Sequence, residues 1–415
     1  MEFYNEDNYV ELGVNTIYSA PQFLPVAGKK WVPFVDTDKL QYPDKLIYYK
    51  NNSSLHGAIV RSVARQFGGN GFATEDLSKQ TLTFLENIND KDEDANDVLF
   101  RAAADLKLFN GFALAIIWSK DYKKIIGVEH VDFSKLRSAI VDETGTVPGY
   151  FYSFNWNTQR PNVIYIPVFS EKTARENADK YDEIKKAFDL DPENIDKMTE
   201  FFKSPTTQIM YIKPYESGSF YYPYPDYIGA INAILTNILT DQYGVNSMEN
   251  GLSVDYIVQF IGNYTDDDKK REAQSFLNQH GKATKKKRPI IAFAPDKDSM
   301  MTVDNISGIN EDKSYTKINE NSMQEILTGH GVVSPMLVGI RTSGQLGGRD
   351  EIEVAADLFF TTVIQPGQHI LTKAFNRIMS INGLEDLEIE RLALFQTNTE
   401  IAPDASTGVP IPTKK

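Results

Sequence analysis

Apolar side chains recur at three- and four-residue spacings through Leu55, Ile59, Val60 and Val63. That spacing predicts a helix over Ser53 to Phe67, stopped by the breaker Gly68-Gly69-Asn70-Gly71. The same period in Val98, Leu99, Ala102, Ala103, Leu106 and Phe109 predicts a second helix. The acidic run Asp90 to Asp97 stands at its amino end, where the helix dipole favours carboxylates, and Asn110-Gly111 ends it. Phe112 to Trp118 is apolar without a break, the pattern of a buried strand. Lys124 to Val131 follows as another strand after the turn at Lys120-Asp121. Tyr150 to Trp156 and Val163 to Phe169 have strand character too. Glu171 to Phe202 is charged and helical, interrupted near Asp191-Pro192. The first 50 residues carry Pro21, Pro25, Pro33 and Pro43 and little periodicity. They are expected to be irregular with short strands, packed on a neighbour or ordered by a partner.

The second half is patterned differently. Pro223 and Pro225 precede Asp226, the expected N-cap of a long helix to Asn250 with the stripe Ile228, Ile231, Leu235, Ile238, Val245 and Met248. Gly251 closes it. Asp255 to Ile261 predicts a short strand, Asp266 to Asn278 a polar helix, and Pro289 to Ala294 another strand. Lys313 to Thr328 is helical and leads through Gly329 and Gly331 into Val332 to Gly339. The glycine-rich loop Arg341 to Arg349 then precedes an acidic helix start and a helical stretch, Glu351 to Ser380. Proline breaks or kinks a helix interior, so an interruption is expected at Gln365-Pro366-Gly367. After Gly383 one strand-like run, Leu387 to Phe395, gives way to a Pro/Thr/Ser-rich tail expected to be disordered. The fold class is therefore α+β.

Composition adds exclusions. The chain has 415 residues, 41% hydrophobic and 24% charged, the balance of a globular protein with a sizeable core. It has no cysteine, hence no disulfide, thiolate metal site or cysteine nucleophile. The 43 basic and 57 acidic residues give a net charge of −14, which opposes tight DNA binding through neutralised phosphates. The acidic N-terminus lacks a signal-peptide pattern, and the longest apolar run, Phe112 to Trp118, is far short of the roughly 20 residues that span a bilayer. A soluble, non-secreted chain is expected.

Candidate chemistry is sparse. The Arg341 to Arg349 loop lacks the Lys-Ser or Lys-Thr of a phosphate loop, and Asp350 and Glu351 stand where a phosphate would sit. Asp266, Asp267 and Asp268 suit a helix amino end better than a metal. Asp296, Asp298 and Asp304 lack the glycine and terminal glutamate of a calcium loop. His56, His130, His280, His330 and His369 fall at no metal-ligand spacing, and no serine elbow occurs. His330, between two glycines, suits a helix terminus better than a general base. No cofactor, no metal and no enzymatic activity are expected. The only dense basic cluster, Lys282 to Arg288, allows two readings equally: a site for nucleic acid or an acidic partner, or a solvated loop. The tyrosine-rich run Phe220 to Tyr227 suits packing at a subunit interface better than base stacking.

The order of these segments resembles the portal proteins of tailed bacteriophages. Leu55-His56-Gly57-Ala58-Ile59-Val60 through Phe72 resembles the early helix of that family with its glycine exit. Asp105 to Ala113 resembles its helix-to-strand element, with Asn110 and Gly111 in swapped order. Tyr224-Pro225-Asp226-Tyr227 and the helix to Gly251 are similar to the helix entering the family's stem. Gly331 to Gly339 resembles a Gly-Val-Pro-Pro-type segment, with Val333-Ser334 in place of a proline-containing pair. The likeness spans roughly Leu55 to Ile381.

The resemblance implies an arm over 1–54, a mixed wing over 55–225, and two stem helices over 226–250 and 311–331. It also implies a small α/β clip over 251–310, a tunnel-loop region over 332–350, a kinked long helix over 351–381, and a tail or reduced crown over 382–415. By the same likeness, Arg341, Thr342, Ser343, Gln345, Leu346 and Arg349 would face DNA. Asp266, Asp267, Asp268, Lys285, Lys286, Lys287 and Arg288 would dock partners, and Pro366 and Gly367 would form the kink. The implied assembly is a ring of about twelve copies at one vertex of the virion capsid, assembled in the host cytoplasm. It would pass double-stranded DNA and meet terminase, capsid protein and tail connector proteins, with no membrane. The rival readings are another head or baseplate protein that never meets DNA, and a metal-dependent hydrolase using the Asp266–Asp268 and Asp296–Asp304 carboxylates.

Overall fold

The computed structural model describes residues 21–34, 42–158, 160–191, 195–250, 257–280, 290–297, 311–340 and 349–392. The architecture is α+β, as the patterning predicts. The first part of the chain supplies α1 (Tyr42–Asn52), α2 (Ser54–Gly68), α3 (Lys79–Glu86) and α4 (Ala95–Phe109), followed by β1 (Phe112–Trp118) and β2 (Ile125–Val131). Then come β3 (Leu136–Ser138), β4 (Gly149–Tyr152), β5 (Ile164–Pro167), α5 (Glu171–Leu190), α6 (Ile195–Phe202) and β6 (Thr207–Ile212).

Local chemistry sets these boundaries. The Ser53 hydroxyl accepts from the His56 amide and starts α2. Asp94 and Asp97 form a reciprocal capping box at α4, and Asn110, left-handed at φ 60°, stops it. β1 is central in an antiparallel sheet ordered β2-β1-β6, with Ala113 opposite Val131 and Phe112 opposite Ile212. Every residue of β1 except Ile117 is buried, which is why its sequence lacks polar alternation. A second antiparallel sheet runs β3-β4-β5.

Beyond β6 the chain turns through a 3₁₀ segment, Ile228–Ala230, into α7 (Ile231–Asn250). β7 (Ile257–Ile261), α8 (Asp266–His280) and β8 (Ile290–Ala294) follow; the two strands pair in parallel, joined by the crossover helix. α9 (Glu311–Gly329) returns alongside α7. A 3₁₀ turn at Pro335–Val338, α10 (Arg349–Phe359), a π-helical turn at Phe360–Ile364 and α11 (Gln365–Asn382) complete the fold.

Several expectations need correcting. Residues 42–52 form α1, whose buried Tyr42, Leu46 and Tyr49 gave no periodicity strong enough to register in the sequence. The arm residues 21–34 pack on their own chain. Trp31 bridges Ala139, the Val32 amide donates to the Ser138 carbonyl, and the Tyr222 hydroxyl donates to the Val32 carbonyl. The Arg137 guanidinium lies over the rings of Phe34 and Trp156 at 4.3 and 4.7 Å. The tyrosine-rich run likewise serves this chain's core: Tyr221, Tyr222 and Tyr227 are buried, although Phe220 is exposed.

Asp226 caps no helix. Its carboxylate takes a buried lysine instead, and the 3₁₀ turn after Tyr227 begins without a side-chain cap. The long helix changes its hydrogen-bond pattern in the turn just before its proline. Phe360–Ile364 widen to a π turn in which the Gln365 amide bonds the Phe360 carbonyl, and the helix then continues through Pro366. The Thr361 and Thr362 hydroxyls donate to the carbonyls of Asp357 and Leu358 across this turn. The expected strand at Leu387 to Phe395 is a single bridge, Phe72 to Ile389, as far as residue 392; 393–395 lie outside the described residues.

Candidate functional site

The segment from Asp226 to His330 leaves the body and returns to it at one place. Gly329, at the end of α9, lies so close to Ala230 that a Cβ built there would stand 2.4 Å from the Ala230 Cβ. A side chain at position 329 would force the two ends apart. Among the described side chains of α7 and α9, full burial is confined to this joint. On α7 it fades after Ile238, leaving Leu239 and Val245 61% and 55% exposed. On α9 the residues from Thr316 to Asn321 are exposed, and Ser322, Ile326 and Leu327 are buried.

A polar cluster fastens the joint to α2 and α4. His56 on α2 and His330 share a hydrogen bond of 2.9 Å between Nδ1 and Nε2, both rings being almost wholly buried. The Tyr227 ring contacts both imidazoles, at centroid distances of 4.7 and 4.6 Å, and its hydroxyl donates to the Leu108 carbonyl at 2.7 Å. Lys107, fully buried on α4, donates to the Asp226 carboxylate at 2.6 Å. Nearby, the Asn110 amide group donates to the Tyr224 carbonyl, and the Ser53 hydroxyl donates to the Asn237 side-chain carbonyl.

Burial, with Lys107 and then Lys50 adding to it, lowers the His56 pKa to about 3. Burial holds His330 well below the usual histidine range, assisted by Lys107 and His56. A second dyad, His130 with Asp105 at 2.8 Å, joins β2 to α4, and burial raises the Asp105 carboxyl.

Most sequence-predicted site residues lie elsewhere. Arg341, Thr342, Ser343, Gln345 and Leu346, with Lys285, Lys286, Lys287 and Arg288, fall outside the described residues. Arg349 begins α10 and Asp266 begins α8. Asp267 is exposed on α8, while Asp268 accepts from the Thr265 hydroxyl and pairs with Arg271 at 2.6 Å. Among the described residues no group of three or more His, Asp or Glu could hold a metal ion; Asp298 and Asp304 are outside them. Pro366 and Gly367 do come to the joint. With Phe67, Asp226, His330 and Val363 they line a cavity of about 390 Å³, and a Cβ on Gly367 would collide with the Phe67 ring.

The sequence reading placed His330 at a helix terminus, which holds, but missed its partner. The available signal was His56 within the stripe Leu55, Ile59, Val60, Val63, a polar ring on the helix's buried side. Lys107 left a fainter one, lying between the apolar positions Leu106 and Phe109 of α4.

The sequence matches no protein-family model and no curated protein. Its fold is similar to that of solved particle components. One is a chain of the virion of a native gene transfer agent (GTA) particle, at 12% identity over 84% of this chain and 83% of that chain, TM-score 0.50. Another comes from the neck of an empty GTA particle computed with C6 symmetry, at 11% identity over 86% and 85%, TM-score 0.51. A phage portal protein of the HK97 family from Corynebacterium diphtheriae is also similar, at 8% identity over 86% and 97%, TM-score 0.39. At these identities the likeness is one of fold, and the two GTA chains carry it.

Proposed function

We propose that this chain is a portal-type connector: a non-enzymatic ring subunit of a phage-like virion, through which double-stranded DNA enters and leaves. The observation that carries this reading is the shared fold with a GTA neck over 86% of the chain. A neck computed with C6 symmetry supports a ring of repeated copies, and about twelve fits that symmetry. In this reading 55–225 is the wing, α7 and α9 are the stem helices, and β7, α8 and β8 belong to the clip. Residues 332–350 hold the tunnel loop, and α10 with α11 is the bent long helix.

The exposed flanks of α7 and α9 suit a stem that neighbouring copies cover. A net charge of −14 per copy suits a conduit, because a lumen that neutralised many phosphates would hold the duplex fast. Terminase, capsid protein and tail connector proteins would dock on the outer faces, terminase and connector at the clip.

The experiment has two parts. End-on electron images of purified protein should show a closed ring with a central hole, and solid particles or persistent monomers would refute the reading. Deleting Thr342 to Gly348 should then leave rings intact but impair DNA packaging or retention. Loss of the rings would instead make that loop an assembly element.

A further inference from the structure

We propose that the His56–His330 pair is a proton-operated latch: neutral, it fastens both ends of the 226–330 segment to α2 and α4, and protonation releases them.

The geometry forbids two charges, and burial without a partner opposes even one. A hydrogen bond between Nδ1 of His56 and Nε2 of His330 needs one ring to donate and the other to offer a lone pair. Two charged imidazoles would each present a proton there, and the bond would become a repulsion. Among the described residues, the remaining nitrogens, Nε2 of His56 and Nδ1 of His330, have no hydrogen-bond partner, so no carboxylate steadies a charged ring.

The surroundings sharpen this. The buried Lys107 faces the pair from α4, Lys50 faces it from α1, and Tyr227 fills the gap from the outgoing chain. The Asp226 carboxylate is committed to Lys107 and half exposed. Burial and the two lysines therefore oppose protonation while the joint is closed.

Opening the joint exposes both rings to water, where an imidazole titrates near its ordinary value. The folded-state value lies below the released one, so the latch holds fully above about pH 6.5 and weakens as pH falls. Between pH 7.5 and 5.0 the opening constant should rise about 30-fold if one ring takes up a proton on release and about 1,000-fold if both do.

The location makes release consequential. His330 is held between Gly329, which touches Ala230, and Gly331, at φ +70°. Outgoing and returning chain are gripped by the same few atoms, so freeing one frees both. The inference goes beyond the conduit reading and stands or falls apart from it.

The test is hydrogen exchange on the full-length protein from pH 7.5 to 5.0, with rates corrected for the chemical pH dependence of exchange. The expected result is a rise in opening at Ile231 to Ile238 and Glu325 to Gly331, with Leu114 to Ile116 in β1 unchanged. His330→Asn, which leaves His56 as the one titrating ring of the pair, should cut that dependence to at most about 30-fold while β1 stays protected. A wild-type joint indifferent to pH overturns the proposal, as does a rise shared equally by β1 or one undiminished in a folded His330→Asn protein. If that variant does not fold, the wild-type contrast between joint and β1 decides alone.

Discussion

The body and the projecting 231–328 segment are built on opposite plans. In the body, β1 is flanked by strands on both sides, and α4 buries Val98, Leu99, Ala102 and Ala103 completely. In the projection, α7 and α9 bury side chains near the joint and present Leu239, Val245 and Ile318 to solvent further out. A core that closes on itself is stable as one copy, whereas a helix pair with apolar residues along its outer length is completed by something else. The difference teaches which helices are packed by this chain along their whole length and which only at one end.

Four substitutions would break or sharpen that contrast. The largest effect is expected in the body. Leu114→Ala removes a fully buried side chain from the central strand and should cost about 3 kcal/mol, read as a lower denaturation midpoint. A cost under about 1 kcal/mol would mean that β1 is not the closed core described here.

The joint comes next, and its two partners should behave unequally. Asp226→Ala strands the Lys107 ammonium inside the protein and should cost about 2 kcal/mol, reduced from the fully buried case because Asp226 is 44% exposed. Lys107→Met fills the same space without a charge and leaves Asp226 to water, for a change of at most about 1 kcal/mol. Equal losses in denaturation experiments would show that the ion pair is not organised as the geometry indicates.

The smallest effect on stability should come from the projection. Leu239→Ser should move the stability of the dissociated chain by no more than about 0.5 kcal/mol. Assembly, followed by sedimentation, should nevertheless weaken. Unchanged sedimentation would remove α7 from the surfaces that neighbouring copies cover.

The same division explains what was legible in the sequence. Periodicity located α2, α4, β1, β7, α8, β8 and α9 because each follows from residues close in the chain. It missed α1, α3, β3 and β6. β6 exists because Thr207 to Ile212 find β1 across nearly a hundred intervening residues, and no local pattern encodes that pairing. The arm was misplaced for a related reason: proline spacing indicates irregular backbone but not whose core Phe23, Val32 and Phe34 enter. The joint was the least legible part. His56 and His330 meet from positions 274 apart, and Lys107 and Asp226 from positions 119 apart. Asp226 had the correct residue type and place for an N-cap, and a buried ammonium outbid the helix for it.

The near-touch of Ala230 and Gly329 has a consequence for how such a chain can be remodelled. A loop of any length inserted where its two ends already meet asks nothing new of the strands and helices that hold those ends. The projection can therefore lengthen, shrink or be exchanged while the rest keeps its wiring. Diversity in what the molecule reaches toward is thereby uncoupled from constancy in how it folds.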